Sequence, residues 1–245
     1  MTADGPTILA TSGGLVPGRR TRFEFAPLTD YAIELAGVSG RAPKICLLGT
    51  AQGDNPTVTA AFYEAALLRG VQASHLTVFP MPNLPDPAQH LLDVDVVWVM
   101  GGSVAGLLAL WRLHGYDRAL ESAWWAGVVL TGISAGSICW HQGGSTDSYG
   151  LELRGFTDGL GWLPYSNGVH YDAEPQRRPK MHELVGDGTL GDGYATDDGA
   201  GLLYRGTRLA EVVADKPGPR GYELKRAADG SVTETPLPTR VLPGD

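Results

Sequence analysis

The 245-residue sequence is short of cysteine, of positive charge and of long apolar runs, and each shortage excludes something. Cysteine occurs twice, as Cys46 and Cys139, both inside apolar stretches. Two such residues cannot build a disulfide framework, so buried thiols in a reducing compartment are expected. Lys and Arg number 19 against 27 Asp and Glu, a net charge of −8. The densest basic stretch, Arg177-Arg178-Pro179-Lys180, is too short to track a phosphate backbone, so no nucleic-acid partner is expected. No apolar run approaches the roughly 20 residues of a membrane helix. The first residues, Met1-Thr2-Ala3-Asp4-Gly5-Pro6, have neither the basic nor the apolar region of a signal peptide. A cytoplasmic protein without a membrane partner is the expectation. Neither H-E-x-x-H nor paired C-x-x-C spacing occurs, so no metal or other cofactor is expected.

What is present describes a globular chain with many tight turns: 43% hydrophobic residues, 19% charged, 34 Gly and 17 Pro. A chain of this size buries a core large enough to stand without staples. No repeat, low-complexity tract or linker divides it, so residues 1–245 are expected to form one domain, with the Pro-rich 236–245 as an exposed tail.

Short β-branched runs alternate with helical patterns through the first two-thirds. Residues 7–11, 44–49, 74–79, 94–100 and 127–130 read as strands; 28–36, 56–69, 104–113, 116–125 and 135–141 read as helices. Thr29 is the expected N-cap of the first helix and Gly70 the stop of the second. The near-continuous apolar run VDVVWVM suits a strand buried on both faces. This alternation predicts an α/β fold with a mostly parallel, doubly wound sheet flanked by helices. Beyond residue 144 the segments are shorter and mixed: strand-like 159–164 and 194–204, a helix near 179–185, and runs at 209–214 and 222–226. The turn Ala228-Asp229-Gly230 before 231–235 predicts a C-terminal β-hairpin.

Four expected strand ends are rich in small residues: Ser12-Gly13-Gly14, 49–54, Gly101-Gly102-Ser103 and 132–136. Each alone could be a tight turn; together at one sheet edge they mark a site. The last contains Gly132-Ile133-Ser134-Ala135-Gly136, a G-x-S-x-G string between a buried strand and a helix. That context identifies a nucleophile elbow, where small neighbours let a strained turn project the serine hydroxyl above the sheet. Ser134 is the expected nucleophile, and the N–H of Ala135 an oxyanion donor.

A serine needs a base, and six histidines are available. His75 and His90 read as core or loop, and His114 closes a helix. His141 is expected two turns along the nucleophile's helix, pointing away; His182 lies in an amphipathic helix. His170, in the small and polar run Ser166-Asn167-Gly168-Val169-His170-Tyr171-Asp172, is the candidate base, with an ordinary loop histidine as the alternative. A carboxylate should fix its tautomer. The pair Asp197-Asp198 at a strand edge offers one, although such pairs also simply form turns.

The order Ser134, His170, Asp198 differs from the serine–acid–histidine order of α/β-hydrolases. With GVVLT-GISAG, VMGGSVAGLL upstream, and GVHYD and TDDGAGL downstream, the chain resembles the peptidase E (aspartyl dipeptidase) family S51, which includes the cyanophycinases. The resemblance runs from about Ile8 to Tyr204. It implies a fold related to class I glutamine amidotransferases and a serine peptidase with Ser134 as nucleophile, His170 as base and Asp198 as acid. Asp stands where the best-known enzymes carry Glu, and Asp197 is the second candidate. The glycine turn reads Gly101-Gly102-Ser103-Val104 where the family commonly has Asn and Thr; Gly102 N–H is the implied second oxyanion donor. Arg177 matches the family's arginine for a substrate aspartate side chain, and a solvated surface arginine is the alternative. Small peptides, dipeptides with N-terminal aspartate foremost, are the implied substrates. A cyanophycinase-like peptidase, an esterase, or a silent member binding an acidic ligand are the alternatives. Folds of this type often form homodimers, but no residue pattern here marks an interface.

Overall fold

The computed structural model describes residue 3 and residues 5–244. Its strands are β1 (Thr7–Thr11), β2 (Leu15–Pro17), β3 (Phe23–Phe25), β4 (Lys44–Leu48), β5 (Gln72–Leu76), β6 (Val96–Val99), β7 (Val129–Ile133), β8 (His141–Thr146), β9 (Arg154–Phe156), β10 (Leu163–Gly168), β11 (Gly193–Thr196), β12 (Ala200–Arg205), β13 (Arg208–Ala214), β14 (Gly221–Arg226), β15 (Val232–Pro236) and β16 (Thr239–Val241). The helices are α1 (Pro27–Leu35), α2 (Pro56–Leu68), α3 (Pro87–Leu92), α4 (Val104–His114), α5 (Tyr116–Trp125), α6 (Ala135–Ile138) and α7 (Arg177–Gly186).

Eight strands form the main sheet in the order β16-β13-β12-β1-β7-β6-β4-β5, and β1, β7, β6, β4 and β5 run parallel. Alternation of side chains along these strands feeds two separate cores. Ile8, Ala10, Cys46, Leu48, Val97, Val99 and Leu130 pack against α4 and α5 through Leu107, Trp111, Leu120 and Trp124. Their neighbours Leu9, Ile45, Leu47, Val96, Trp98 and Val129 pack on the opposite face against α1 and α2, through Leu28, Ala32, Phe62 and Ala65. With both faces covered, these strands are mostly apolar, and the buried hydroxyls of Thr11 and Thr131 are spent on backbone carbonyls.

The expected parallel core and C-terminal hairpin are both present; β14 and β15 pair antiparallel across the turn. A second, six-stranded sheet, β15-β14-β11-β10-β8-β9, was not expected as a separate unit. Three local expectations are corrected. Thr29 does not cap α1: Ala26 occupies the N-cap, Pro27 takes the first turn, and the Thr29 hydroxyl donates to Gly14 O at 2.6 Å. The helix expected over 135–141 stops at Ile138, because the chain must turn to pair His141 onward with β9 and β10. The tail expected to be exposed from Pro236 also supplies β16, parallel to β13, and buries Leu242, while most of its other described residues are exposed. No helix among the described residues is long and apolar enough to cross a membrane.

Candidate active site

Ser134 leaves the end of β7 with φ 57° and ψ −112°, outside the regions open to ordinary L-residues. The turn is possible because its flanking positions are bare. A Cβ on Gly132 would lie 2.7 Å from Val99 O, and one on Gly136 only 2.3 Å from the same oxygen. Strand β6 therefore presses directly on the elbow, and any side chain there would push it away. The Ser134 N–H donates to Thr11 O at 3.1 Å, tying the turn to the end of β1.

Gly101 and Gly102 face this turn from the end of β6. A Cβ on Gly101 would stand 3.1 Å from Ser134 Cβ; one on Gly102, at φ 138°, would strike Ala51 O at 2.3 Å. The Ser103 N–H donates to Ala51 O at 2.9 Å, which pins the glycine turn to the loop after β4. Among the described residues, neither the Gly102 N–H nor the Ala135 N–H meets an acceptor. Helix α6 has only four residues, so the donor at Ala135 is set by the elbow rather than by a long helix.

His170 lies just beyond β10, again with a positive φ of 53°. Only Asp54, Ser134 and His170 combine a positive φ with a side chain among the described residues. Such conformations persist where surrounding contacts over-determine them. For His170 those contacts are visible: its N–H donates to Ser12 Oγ at 3.2 Å, and Ser12 Oγ pairs with Thr196 Oγ1 at 2.7 Å. Its Nδ1–H donates to Asp198 Oδ1 at 2.5 Å. That bond leaves Nε2 as the nitrogen able to accept a proton. No hydrogen bond joins Nε2 to Ser134 Oγ among the described residues, and in unliganded sites such bonds are often long.

The neighbouring carboxylates have separate surroundings. Asp198 is half-exposed, and its N–H is held by Asp172 Oδ1 at 2.8 Å. Asp197 is buried and turned the other way, where its Oδ2 accepts from Arg220 N–H at 2.9 Å and Tyr222 OH at 3.1 Å. Burial pushes the Asp197 carboxyl above its ordinary value, against the Arg220 N–H bond.

The other histidines are placed away from this cluster. His141 opens β8, wholly buried, with Nδ1–H donating to Ser137 O at 2.9 Å and Nε2 accepting from Tyr204 OH at 3.1 Å. Burial lowers its value from 6.5 to about 4. Unfolded chains thus bind a proton that the folded protein refuses. Stability is complete above about pH 6.5 and falls by about 3 kcal/mol as pH drops to about 4. Unfolding titrations of His141→Gln should show that acid limb flattened; an unchanged limb would mean His141 is not held neutral. His75 pairs with Tyr63 OH, His90 with Ser74 Oγ, and His182 with Glu234.

Arg177 is not a free surface cation. Its side chain is 3% exposed, with Nε 2.6 Å from Glu174 Oε2, one terminal nitrogen 2.8 Å from Ser145 O and the other 4.0 Å from Asp147. Glu174 N–H donates to His170 O, so this pair stands one turn beyond the histidine. A cavity of about 510 Å³ opens here between Asp147, Leu151, Leu153 and residues 173–176.

Four further residues support the site without a local mark in the sequence that identifies them. Ser12 stands in a glycine-rich strand end, and its hydroxyl oxygen accepts from His170 N–H. Thr196 and Asp172 stand in TDDGAGL and GVHYD, but nothing local marks which groups they meet. Asp215, at the end of β13, packs behind the same loops: its Oδ1 accepts from Leu28 N–H at 2.7 Å and its N–H donates to Gly199 O at 2.8 Å. Burial pushes its carboxyl up to about 6.

The chain is similar to known proteins in sequence and in fold. The sequence model of Peptidase family S51 matches residues 8–212. An uncharacterized peptidase of Bacillus subtilis (strain 168), YgaJ, is 40% identical over 202 residues, covering 82% of this chain and 85% of its own. Among solved structures, a peptidase from an acI-B1 Actinobacterium superposes with a TM-score of 0.68 over 96% of this chain and 95% of its own, at 17% identity. A protein described as a peptidase E, from Listeria monocytogenes EGD-e, gives 0.60 over 84% of this chain and 97% of its own, also at 17%. At such identity the two structures speak for the fold alone. The match over most of the chain and the Bacillus relative do more, and the chain belongs to peptidase family S51.

Proposed function

We propose that this peptidase is of the serine type and cleaves small peptides, with Ser134 as nucleophile, His170 as general base and Asp198 as the acid that orients it. The backbone of Ser134 carries the reading: a strained, positive-φ serine at a strand end, between two glycines that admit no side chain. A structural turn has no need of serine there, since glycine would relieve the strain.

In the reaction, His170 Nε2 takes the Ser134 proton as Oγ bonds to the scissile carbonyl carbon. The oxyanion is received by the N–H groups of Gly102 and Ala135. The imidazolium, stabilised by Asp198, then protonates the leaving amine, and an acyl-enzyme remains on Ser134. Water, deprotonated by His170, cleaves that ester and releases the second product. A fluorophosphonate probe should label Ser134 in folded protein and leave His170→Ala unlabelled. Folded protein that resists labelling would favour a silent, ligand-binding member.

Aspartyl dipeptides are the first substrates to try, on the family resemblance and the place of Arg177. The arginine already has a carboxylate partner in Glu174, which weakens it as a receptor for a second one. Glu174→Gln should therefore lower KM for an aspartyl dipeptide by about tenfold, a change of about 1.4 kcal/mol, and leave that for a p-nitrophenyl ester unchanged. The Arg177–Glu174 pair also favours a second reading, in which Arg177 only closes the wall. Turnover of β-aspartyl peptides or esters with aspartyl dipeptides untouched, and no KM response to Glu174→Gln, would select it.

A further inference from the structure

We infer that the C-terminal hairpin β14–β15, through Glu234 and Tyr222, is a positioning element for the His170–Asp198 pair. The inference rests on the catalytic roles proposed above. It concerns residues 221–236, which lie beyond the 8–212 matched to the family.

The chain neighbours of the two proposed catalytic groups are both anchored in this hairpin. Tyr171 follows His170. Its N–H donates to Thr196 O at 3.1 Å, and its hydroxyl, on a side chain sunk beside Met181 and Leu224, donates to Glu234 Oε2 at 2.7 Å. Asp197 precedes Asp198. Its N–H donates to Arg220 O at 3.0 Å, and its carboxylate Oδ2 accepts from Arg220 N–H and from Tyr222 OH. Arg178 closes the circuit from α7: its guanidinium lies 4.7 Å from the Tyr171 ring centre and 4.8 Å from that of Tyr222, with one nitrogen 3.2 Å from Glu234 Oε1. His182 Nε2 adds a further contact to Glu234 Oε2 at 2.9 Å.

One mostly buried carboxylate thus gathers a tyrosine, an arginine and a histidine between the helix and the hairpin. Burial alone would raise the Glu234 value, but the bonds from His182 and Tyr171 and the charge of Arg178 hold it below the ordinary range. A charged group in that setting is costly to keep unless each contact is made. The fold needs no such cluster to hold a hairpin, for which Leu224 and Val232 in the same core would serve. Its geometric effect is specific: the two loops that carry His170 and Asp198 are fixed to one rigid strand pair, so the 2.5 Å contact between them cannot drift with either loop. Small displacements are expensive in such sites, about 1 Å of misplacement costing about 100-fold in rate.

The test uses Glu234→Gln and Tyr222→Phe in the full chain, with kcat expressed per serine titrated by fluorophosphonate so that loss of folded protein does not enter. Each variant should lower kcat by about 10- to 100-fold with KM little changed. The acid limb of kcat/KM should move to lower pH, because a loosened Asp198 contact stabilises the His170 imidazolium less. Glu234→Asp, which keeps the charge, should recover part of kcat. Unaltered kcat per titrated site and an unmoved limb, with only thermal stability reduced, would overturn the inference and leave the hairpin structural. Ser134→Ala is run beside them: if it retains activity, the catalytic reading itself is wrong, whatever the hairpin variants do.

Discussion

Replacing Ser134 with alanine should reduce peptide hydrolysis by a factor on the order of 10⁴–10⁶, the loss typical when a serine nucleophile is removed. Fluorophosphonate labelling should vanish with it. Stability should barely change, because the hydroxyl makes no hydrogen bond among the described residues, and alanine retains both the Cβ and the strained backbone. Glycine at the same position makes a sharper comparison. Left-handed and neighbouring conformations cost an L-residue about 1–3 kcal/mol, whereas glycine adopts them freely. Ser134→Gly should therefore be equally inactive yet more stable to denaturant than Ser134→Ala, by about 1 kcal/mol after glycine's greater freedom in the unfolded chain is subtracted. A Ser134→Gly protein less stable than the alanine variant would show that the elbow is not strained. Residual hydrolysis near the wild-type rate in both would remove Ser134 from the mechanism.

The second large effect separates the two aspartates. Asp198→Asn should lower kcat/KM by about 10⁴-fold, since an amide in place of the carboxylate favours the wrong imidazole tautomer and stabilises no imidazolium. Its half-exposed side chain should make the cost in stability small. Asp197→Asn should behave in the opposite way. Its buried oxygen accepts from Arg220 N–H and Tyr222 OH, so unfolding should become easier by about 1–2 kcal/mol. Catalysis should fall only through the loosened loop, by about 10- to 100-fold. Steady-state kinetics and denaturant titrations on the two variants decide the matter. A reversed pattern would make Asp197 the triad acid.

Much of the main sheet was legible because burial on both faces leaves a strong local mark. VVWV and KICLL have no polar interruption, and the periodicity switch into 104–114 and 116–125 is clear. The second sheet was legible only in its hairpin, at 222–226 and 231–235, and in part of the strand-like run 194–204. Its strands HQGGST and LPYSNG were hidden, because segments so rich in glycine and polar residues do not announce their extent without their partners. Pairing in this second sheet ended the helix after Ile138, and pairing with β13 at the edge of the main sheet took up residues 239–241. Around the site, Ser134 was evident from five residues and the strand before them. His170 and Asp198 were evident only as candidates, and the family resemblance ordered them. Arg177 was placed by that resemblance in the role of a free receptor, which its burial against Glu174 and Ser145 makes harder to fill.

By itself the sequence determined the parallel α/β core and the turn that holds Ser134. Those features follow from the period of apolar residues and from glycines where no side chain fits, both of which act within a few residues. The tertiary structure alone decided which carboxylate meets His170, which serine steadies its backbone, and what the C-terminal hairpin touches. The Ser12 contact to His170 spans 158 residues and the Tyr171 contact to Glu234 spans 63. Bonds between segments so far apart are set by strand register and packing, and the physical preferences of single residues carry no record of them.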